Sequence, residues 1–359
     1  MKKSHYRYMN LAIDLALKAQ GRTLPNPIVG AVVVKNGKIV GKGYHKKAGG
    51  HHAEVFALKQ AGSKAKGAQL YVNLEPCSFH GKTPPCTDLI IKSKIKKVYI
   101  AVKDFNPTVN GKGIKILNRH GIKTHLGLLK ERAKKINLPF FKYAVKKMPF
   151  VTTKTAQSLD GKITSNSGTS KWITSSVARN FAKKQRKFYD AIMVGINTVL
   201  KDNPKLTAGK KINKIVVDST LKTPVSANIF KSKDNVIIAT LKSDKSKKAL
   251  QLKRKHKNIL ILTVKPKKGK IDLKDLLKKL AKMSISNVLS EGGACLNGAL
   301  FDDGLVDKVN FYISPKIIGG INSLPSIAGK GIKKLDKAIE LKNIKMKKLG
   351  RNLFIEGYV

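Results

Sequence analysis

The sequence predicts an α/β protein built as two consecutive domains, and three observations carry that reading. A length of 359 residues amounts to roughly two domains. Short β-branched runs alternate with amphipathic stretches, the order that builds sheets covered by helices. A basic, apolar-periodic stretch, Lys130–Lys147, ends just before Pro149, a natural punctuation mark. The domains are therefore expected at residues 1–147 and 148–359. Hydrophobic residues make up 42% of the chain, enough for two buried cores.

In the first half, Met9, Ala12, Ile13, Ala16 and Leu17 recur at helical spacing and predict a helix over Tyr8–Ala19. Val29–Val34 reads as a buried strand, Asn36-Gly37 as a hairpin turn and Lys38–Gly43 as the return strand. His52 stands just past a Gly-Gly pair, ahead of Ala53, Val55, Phe56, Ala57 and Leu58. It belongs to the first turn of a helix, with Glu54 two positions on. Leu70–Leu74 is a strand-like run ended by Cys77. Cys86 follows Pro84-Pro85 and opens Leu89-Ile90-Ile91, so it sits at another helix N-terminus, where N–H groups and the helix dipole favour a thiolate. Val98–Val102 is a strand, and Asp104-Phe105-Asn106-Pro107 reads as a turn. Alternation up to about residue 128 gives an α/β sandwich with helices on both faces of a sheet.

The second half opens with the strand Val151–Ala156, followed by a polar loop, Ser165–Thr169. Ser175 or Ser176 is placed to cap a helix running to Lys187. Further strands are read at Asp190–Gly195, Ile212–Asp218, Val236–Thr240, Ile259–Val264 and Asn287–Ser290. Asp272–Lys282 is an amphipathic helix, and Glu291-Gly292-Gly293 turns into a helix over Ala294–Phe301.

The chemistry concentrates at His52, Cys77 and Cys86. One imidazole and two thiolates make a three-ligand zinc site whose fourth position is left for water, the arrangement of catalytic zinc. His52-Ala53-Glu54 followed by Pro76-Cys77 and Pro84-Pro85-Cys86 resembles the zinc-dependent nucleoside and base deaminases, whose signature is H-x-E with P-C-x-x-C. Here the interval between the cysteines is longer. With Pro25-Asn26-Pro27-x-Val29-Gly30 upstream, the pattern resembles the deaminase half of the riboflavin-pathway bifunctional deaminase/reductase. The resemblance implies a cytidine-deaminase-like α/β/α sandwich, with Glu54 as the catalytic proton carrier. It also implies substrate contacts at Asn26, His45, Lys82, Asp104 and Asn106, the last two near a ribose phosphate. Read as residues alone, Asn26 is a turn former, His45 a surface side chain and Lys82 a cation suited to a phosphate or a ring.

The second half lacks a G-x-G-x-x-G after a strand, so the common dinucleotide fingerprint is missing. Gly292-Gly293 between strand and helix still offers close backbone approach and a helix dipole, which suits a pyrophosphate. Its company is more telling: Lys154…Ser158-Leu159-Asp160-Gly161, Trp172-Ile173-Thr174-Ser175, Arg186 with Asp190-Ala191-Ile192, Thr198 with Asp202-Asn203-Pro204, and Glu291-Gly292-Gly293. This series resembles the riboflavin-pathway reductase, whose fold is similar to dihydrofolate reductase. Carried over by position, it implies substrate contacts at Lys154, Ser170, Arg186, Leu206 and Glu291. It implies NADPH contacts at Gln157, Trp172, Thr198, Asp202, Ser219, Gly293, Ala294, Cys295, Leu296, Asn297, Gly298 and Ala299. On residue type alone, Trp172 equally suits a core and Asp202 a loop cap. One position departs from the family: where it usually carries Arg, this chain has Gly209. Either Lys210 takes over a phosphate there or the grip weakens, since a lysine is a point charge and an arginine a fork.

The expected function is zinc-dependent hydrolytic deamination of a phosphorylated diaminopyrimidine ribosylamine, followed by NADPH reduction of its ribosyl group to a ribityl chain. The alternative is a zinc-dependent nucleic-acid (tRNA) deaminase with a basic, non-reductase C-terminal domain. Lys and Arg number 73 against 21 acidic residues, a formal charge of +52. That excess is overwhelmingly Lys, spread over both halves with few aromatics, which reads as solvated surface rather than a nucleic-acid reader's Arg forks and stacking platforms. No apolar run is long enough for a membrane span, and no apolar leader follows Met1-Lys2-Lys3. Three cysteines, two given to metal, argue for a reducing cytoplasm, with Cys295 expected as a small buried apolar side chain. Oligomeric state is left open, a homo-oligomer included.

Overall fold

Ala31–Val34 becomes an inner strand of a five-stranded sheet in the computed structural model, which describes residues 3–80 and 84–359. The chain divides into two units, Met1–Lys147 and Met148–Val359.

The first unit contains α1 (Lys3–Leu17), β1 (Gly30–Lys35), β2 (Lys38–Tyr44), α2 (Ala53–Ala61), β3 (Gln69–Leu74), α3 (Cys86–Lys92), β4 (Lys97–Val102), α4 (Lys112–Arg119), β5 (Lys123–Leu126), α5 (Lys130–Ile136) and α6 (Leu138–Lys146). The sheet order is β2-β1-β3-β4-β5, antiparallel as far as β3 and parallel beyond it. Successive strand residues face opposite sides. Ala31, Val33, Leu70, Val72, Val98 and Ile100 pack with residues of α2, α3 and α4. Val32, Val34, Tyr71, Tyr99 and Ala101 pack with residues of α1, α5 and α6. The unit is thus the expected three-layer, cytidine-deaminase-like sandwich. Glycine sets its tightest contact. A Cβ on Gly41 would lie 2.1 Å from the Ala57 carbonyl oxygen, and one on Gly43 2.5 Å from that of Ala53, so α2 rests directly on the backbone of β2.

Two elements differ from expectation. α1 begins at Lys3 because its polar first turn is held from outside: His5 stacks on Tyr99 at 4.5 Å and its Nδ1 lies 2.6 Å from the Tyr71 hydroxyl. The stretch Lys130–Lys147 breaks into α5 and α6 at Asn137. That side chain is spent on Ile28, accepting its N–H and donating to its carbonyl, each at 2.9 Å.

The second unit contains β6 (Phe150–Gln157), α7 (Ser176–Gln185), β7 (Ala191–Gly195), α8 (Ile196–Asp202), β8 (Asn213–Val217), β9 (Asn235–Thr240), α9 (Lys247–Lys255), β10 (Ile259–Thr263), β11 (Pro266–Lys267), β12 (Lys270–Ile271), α10 (Leu273–Lys282), β13 (Asn287–Ser290), α11 (Ala294–Asp302), β14 (Lys308–Ile313), β15 (Lys342–Leu349) and β16 (Asn352–Tyr358). Nine strands form one sheet in the order β10-β9-β8-β7-β13-β6-β14-β16-β15, parallel except around β16. Ser175 caps α7 by accepting the Ala178 N–H, and Asp272 caps α10 by accepting those of Lys274 and Asp275. Among the elements not foreseen, β14 and β16 carry clear apolar signals that sequence reasoning missed, whereas those of α9 and β15 are thin. α9 buries only Ala249 and Leu252, and seven of the eight residues of β15 are exposed.

A candidate zinc centre and a candidate cofactor cleft

In the first unit the three expected ligands converge. His52 is the N-cap of α2, one residue before its first turn. Cys77 lies three residues beyond β3, and Cys86 is the first residue of α3. One donor atom from each falls within 4.8 Å of the others. His52 Nδ1 lies 3.2 Å from Cys86 Sγ and 3.4 Å from Cys77 Sγ. Tetrahedral zinc with ordinary Zn–N and Zn–S bonds needs donors about 3.5–3.8 Å apart, so the set fits zinc with little adjustment. A hydrogen bond from Cys86 holds the Cys77 thiol well below its ordinary value, and the same bond, with burial, holds Cys86 up. Metal binding needs both as thiolates and releases their protons.

Glu54 is buried beside this triangle, and its Oε2 has no hydrogen-bond partner among the described residues. Burial pushes its carboxyl above the ordinary range, as a proton carrier needs. His45 is a buried residue, not the surface one its type suggests. Its Nδ1 meets the His51 carbonyl at 3.0 Å, its ring packs edge-on to His52 at 5.5 Å, and its Nε2 has no partner among the described residues. Asp104 is also buried, which lifts its carboxyl to about 6, and it accepts the Asn106 N–H at 2.8 Å. Asn26 is half-buried in the loop before β1. Lys82 lies outside the described residues.

Sequence reasoning missed Glu75, which holds this loop region in place. Its buried carboxylate accepts the N–H groups of Asp104 (3.1 Å), Gly111 (2.9 Å) and Ile114 (3.3 Å), tying the Pro76-Cys77 turn to the start of α4. It also missed Asn73, which accepts the Gly30 N–H at 2.7 Å and donates to the Ile28 carbonyl. Glu75 adjoins the quoted Pro76-Cys77, but a carboxylate satisfied only by backbone donors leaves no partner residue to search for.

In the second unit Lys154, Arg186 and Glu291 meet. Arg186 grips Glu291 through two bonds, 2.7 and 2.9 Å, and donates to the Thr207 carbonyl at 3.1 Å. Lys154 Nζ stands 3.9 Å from Glu291 and 5.7 Å from the centre of the Tyr312 ring. Burial works to raise the Glu291 carboxyl, but Arg186 and Lys154 prevail and hold it below its ordinary value. Leu206 is buried nearby in sequence to Thr207, in a left-handed conformation. Lys210 is half-buried with its charge set against Asp190.

A cavity of 470 Å³ opens at the strand ends. Of the residues implied for NADPH, Thr198, Asp202, Ser219, Gly293, Ala294, Cys295, Leu296 and Ala299 line it, together with Ser170 from the substrate set. Gly293 is the N-cap of α11 and no side chain among the described residues caps that helix, which leaves its leading N–H groups for an anion. The donor set fits a dinucleotide. Cys295 corrects an expectation: it is exposed, because the second position of α11 faces this cavity and not the core. Asn297 and Gly298 do not line the cavity. Asn297 is buried and bonded to Ser290, Thr155 and Gly292, and a Cβ on Gly298 would meet the Ala328 oxygen at 1.7 Å. Gln157 and Trp172 also lie off it. Trp172 is 64% exposed under the Arg179 guanidinium, which excludes the core role its type allows. Asp202 accepts from Ser170 at 3.4 Å.

Residues 2–102 match the family model of the cytidine and deoxycytidylate deaminase zinc-binding region, and residues 149–355 match that of the RibD C-terminal domain. The chain is 44% identical to the riboflavin biosynthesis protein RibD of Aquifex aeolicus, over 97% of this chain and 96% of that one. Among solved structures, Acinetobacter baumannii RibD aligns with a TM-score of 0.89 at 34% identity, covering 99% of both chains. The diaminohydroxyphosphoribosylaminopyrimidine deaminase/5-amino-6-(5-phosphoribosylamino)uracil reductase of Thermotoga maritima aligns at 0.87 and 35% identity, covering 99% of this chain and 98% of that one. These likenesses run through both units, which sets aside the nucleic-acid deaminase with a non-reductase appendage. In motif, in site and along its whole length, the chain belongs to the RibD family, the bifunctional deaminase/reductases of riboflavin biosynthesis.

Proposed function

We infer that the first unit removes an amino group from a phosphorylated diaminopyrimidine ribosylamine and that the second reduces the ribosyl group of the product. His52, Cys77 and Cys86 would hold the zinc, which would supply an acidified water, its pKa brought to about 7. Glu54 would carry both protons of the attacking water in turn: its desolvated carboxylate takes the first and delivers it to the ring nitrogen, then takes the second from the adduct's hydroxyl and delivers it to the departing amine. Water is consumed, ammonia leaves, and a carbonyl replaces the amine. His45, whose Nε2 has no partner among the described residues, and Asn26 are assigned to the substrate, Asp104 and Asn106 near its ribose phosphate, and Lys82 to the phosphate or the ring.

NADPH supplies a hydride to the second unit when bound. Lys154 orients the substrate, held by Glu291, which Arg186 keeps anionic. With that hydride supplied, the anomeric carbon would be reduced as its bond to the ring oxygen breaks, and that oxygen would take a proton from water to leave a ribityl chain. Ser170 and Leu206 complete the substrate side.

One observation carries the reading: the His52–Cys77–Cys86 triangle with Glu54 buried beside it, on a chain whose other unit brings Lys154, Arg186 and Glu291 together. The test is to incubate the chain with the phosphorylated pyrimidine and follow ammonia and nicotinamide absorbance together. Ammonia release followed by an equal amount of NADPH oxidation is expected; oxidation with no ammonia would overturn the order of steps. The formal charge of +52 draws anionic substrates, so KM rises with salt. No helix among the described residues is long and apolar enough to cross a membrane. A reducing cytoplasm fits a site that needs both thiols free.

A further inference from the structure

We propose that Lys270, on the hairpin β11–β12, binds the 2′-phosphate of NADPH and makes the second unit prefer NADPH to NADH. This rests on the reading of that unit as the reductase half. The hairpin is tightly built: Pro266 pairs with Ile271, Lys267 with Lys270, and the two-residue turn Lys268-Gly269 has φ of 52° and 73°. Lys267 is spent on Asp303 at 2.6 Å, which ties the hairpin to the end of α11. Its cross-strand neighbour Lys270 makes no ion pair among the described residues and lines the cofactor cavity.

The cavity's charges single this lysine out. Its charged lining residues are Lys201, Asp202 and Lys270. Together they leave the cavity a net charge of +1; Asp202 accepts from Ser170, Lys201 and Asp202 both belong to α8, and Lys270 is the cation brought by a separate element. The pyrophosphate has its own place at the uncapped N-terminus of α11, which follows β13. Ser219 follows β8, two strands further along the order β8-β7-β13, or about 10 Å away at ordinary strand spacing. Val217, Ser219 and Lys270 line the same cavity. A dinucleotide laid across these strand ends therefore carries its adenosine ribose to the β8 side, where Lys270 supplies the cation. A phosphate monoester suits a lysine point charge, and NADH has no group there to use it.

The test compares wild type, Lys270→Met and Lys270→Arg. For Lys270→Met, KM for NADPH is expected to rise about tenfold, the worth of one charge-assisted contact. KM for NADH and both kcat values should stay unchanged, and Lys270→Arg should keep the preference. Calorimetric titration of the resting protein with 2′,5′-ADP should show the same loss, and with 5′-AMP none. Equal losses with both cofactors, or unaltered 2′,5′-ADP binding in Lys270→Met, would overturn the assignment. A wild type that oxidises neither cofactor would overturn the reductase reading itself, and this proposal with it.

Discussion

The two units build their sites by opposite means. The first draws its chemistry from one stretch, His52 to Cys86, and brings three donor atoms within 4.8 Å of one another. The second lines a 470 Å³ cavity with strand ends, loops and helix starts scattered from Ile163 to Leu324, with Lys154, Arg186 and Glu291 gathered apart from that lining. A metal ion asks for a few side-chain atoms at fixed separations. A long, flexible cofactor asks for a cleft, much of it backbone, with charges spaced along it. The first demand writes itself into adjacent residue types, and the second into the shape of a sheet.

Zinc removal gives the sharpest contrast. Chelation should abolish ammonia release entirely while NADPH binding, followed by fluorescence, is unaffected; loss of both would break the division. Glu54→Gln comes next: zinc content should hold, measured by metal analysis, while ammonia release falls about 10²–10⁴-fold, the span of general acid–base catalysis. A variant that keeps full activity would remove Glu54 from the mechanism. Lys154→Ala should leave ammonia release unchanged and slow NADPH oxidation about 10–100-fold, the worth of a lost charge-assisted contact. A matched decline in ammonia release would mean the two activities are not carried by separate units. The smallest expected effect sets glycine against glycine. Gly43→Ala drives a methyl into the Ala53 carbonyl, at 2.5 Å, and should cost about 1–3 kcal/mol by calorimetry and weaken zinc retention. Gly293→Ala meets nothing within 4 Å and should leave the melting curve nearly as it was.

How far each site could be read in advance follows the same contrast. His52, Cys77, Cys86 and Glu54 announce themselves, because few other reasons place those residue types at that spacing, and the structure brings them together. Most strands were visible because both faces of each sheet are buried, so β-branched runs stand out. β15 was invisible for the converse reason: seven of its eight residues are exposed and four are lysines. In the cleft, residue type misled at Cys295, which looks like core but faces the cavity; Asn297, which the resemblance alone assigned to the cofactor, is bonded to Ser290, Thr155 and Gly292. Lys270 was hidden among the many lysines, and only the pairing of Lys267 with Asp303 distinguishes it from its neighbours.

The bare glycine ledge under α2 has a consequence for how this enzyme can change over time. With main chain pressed against main chain at Gly41 and Gly43, the edge of α2 nearest the metal-gripping histidine has no side chain to act as a spacer. Any descendant that acquires a side chain at either position must lift that helix, and its histidine with it, off the strand.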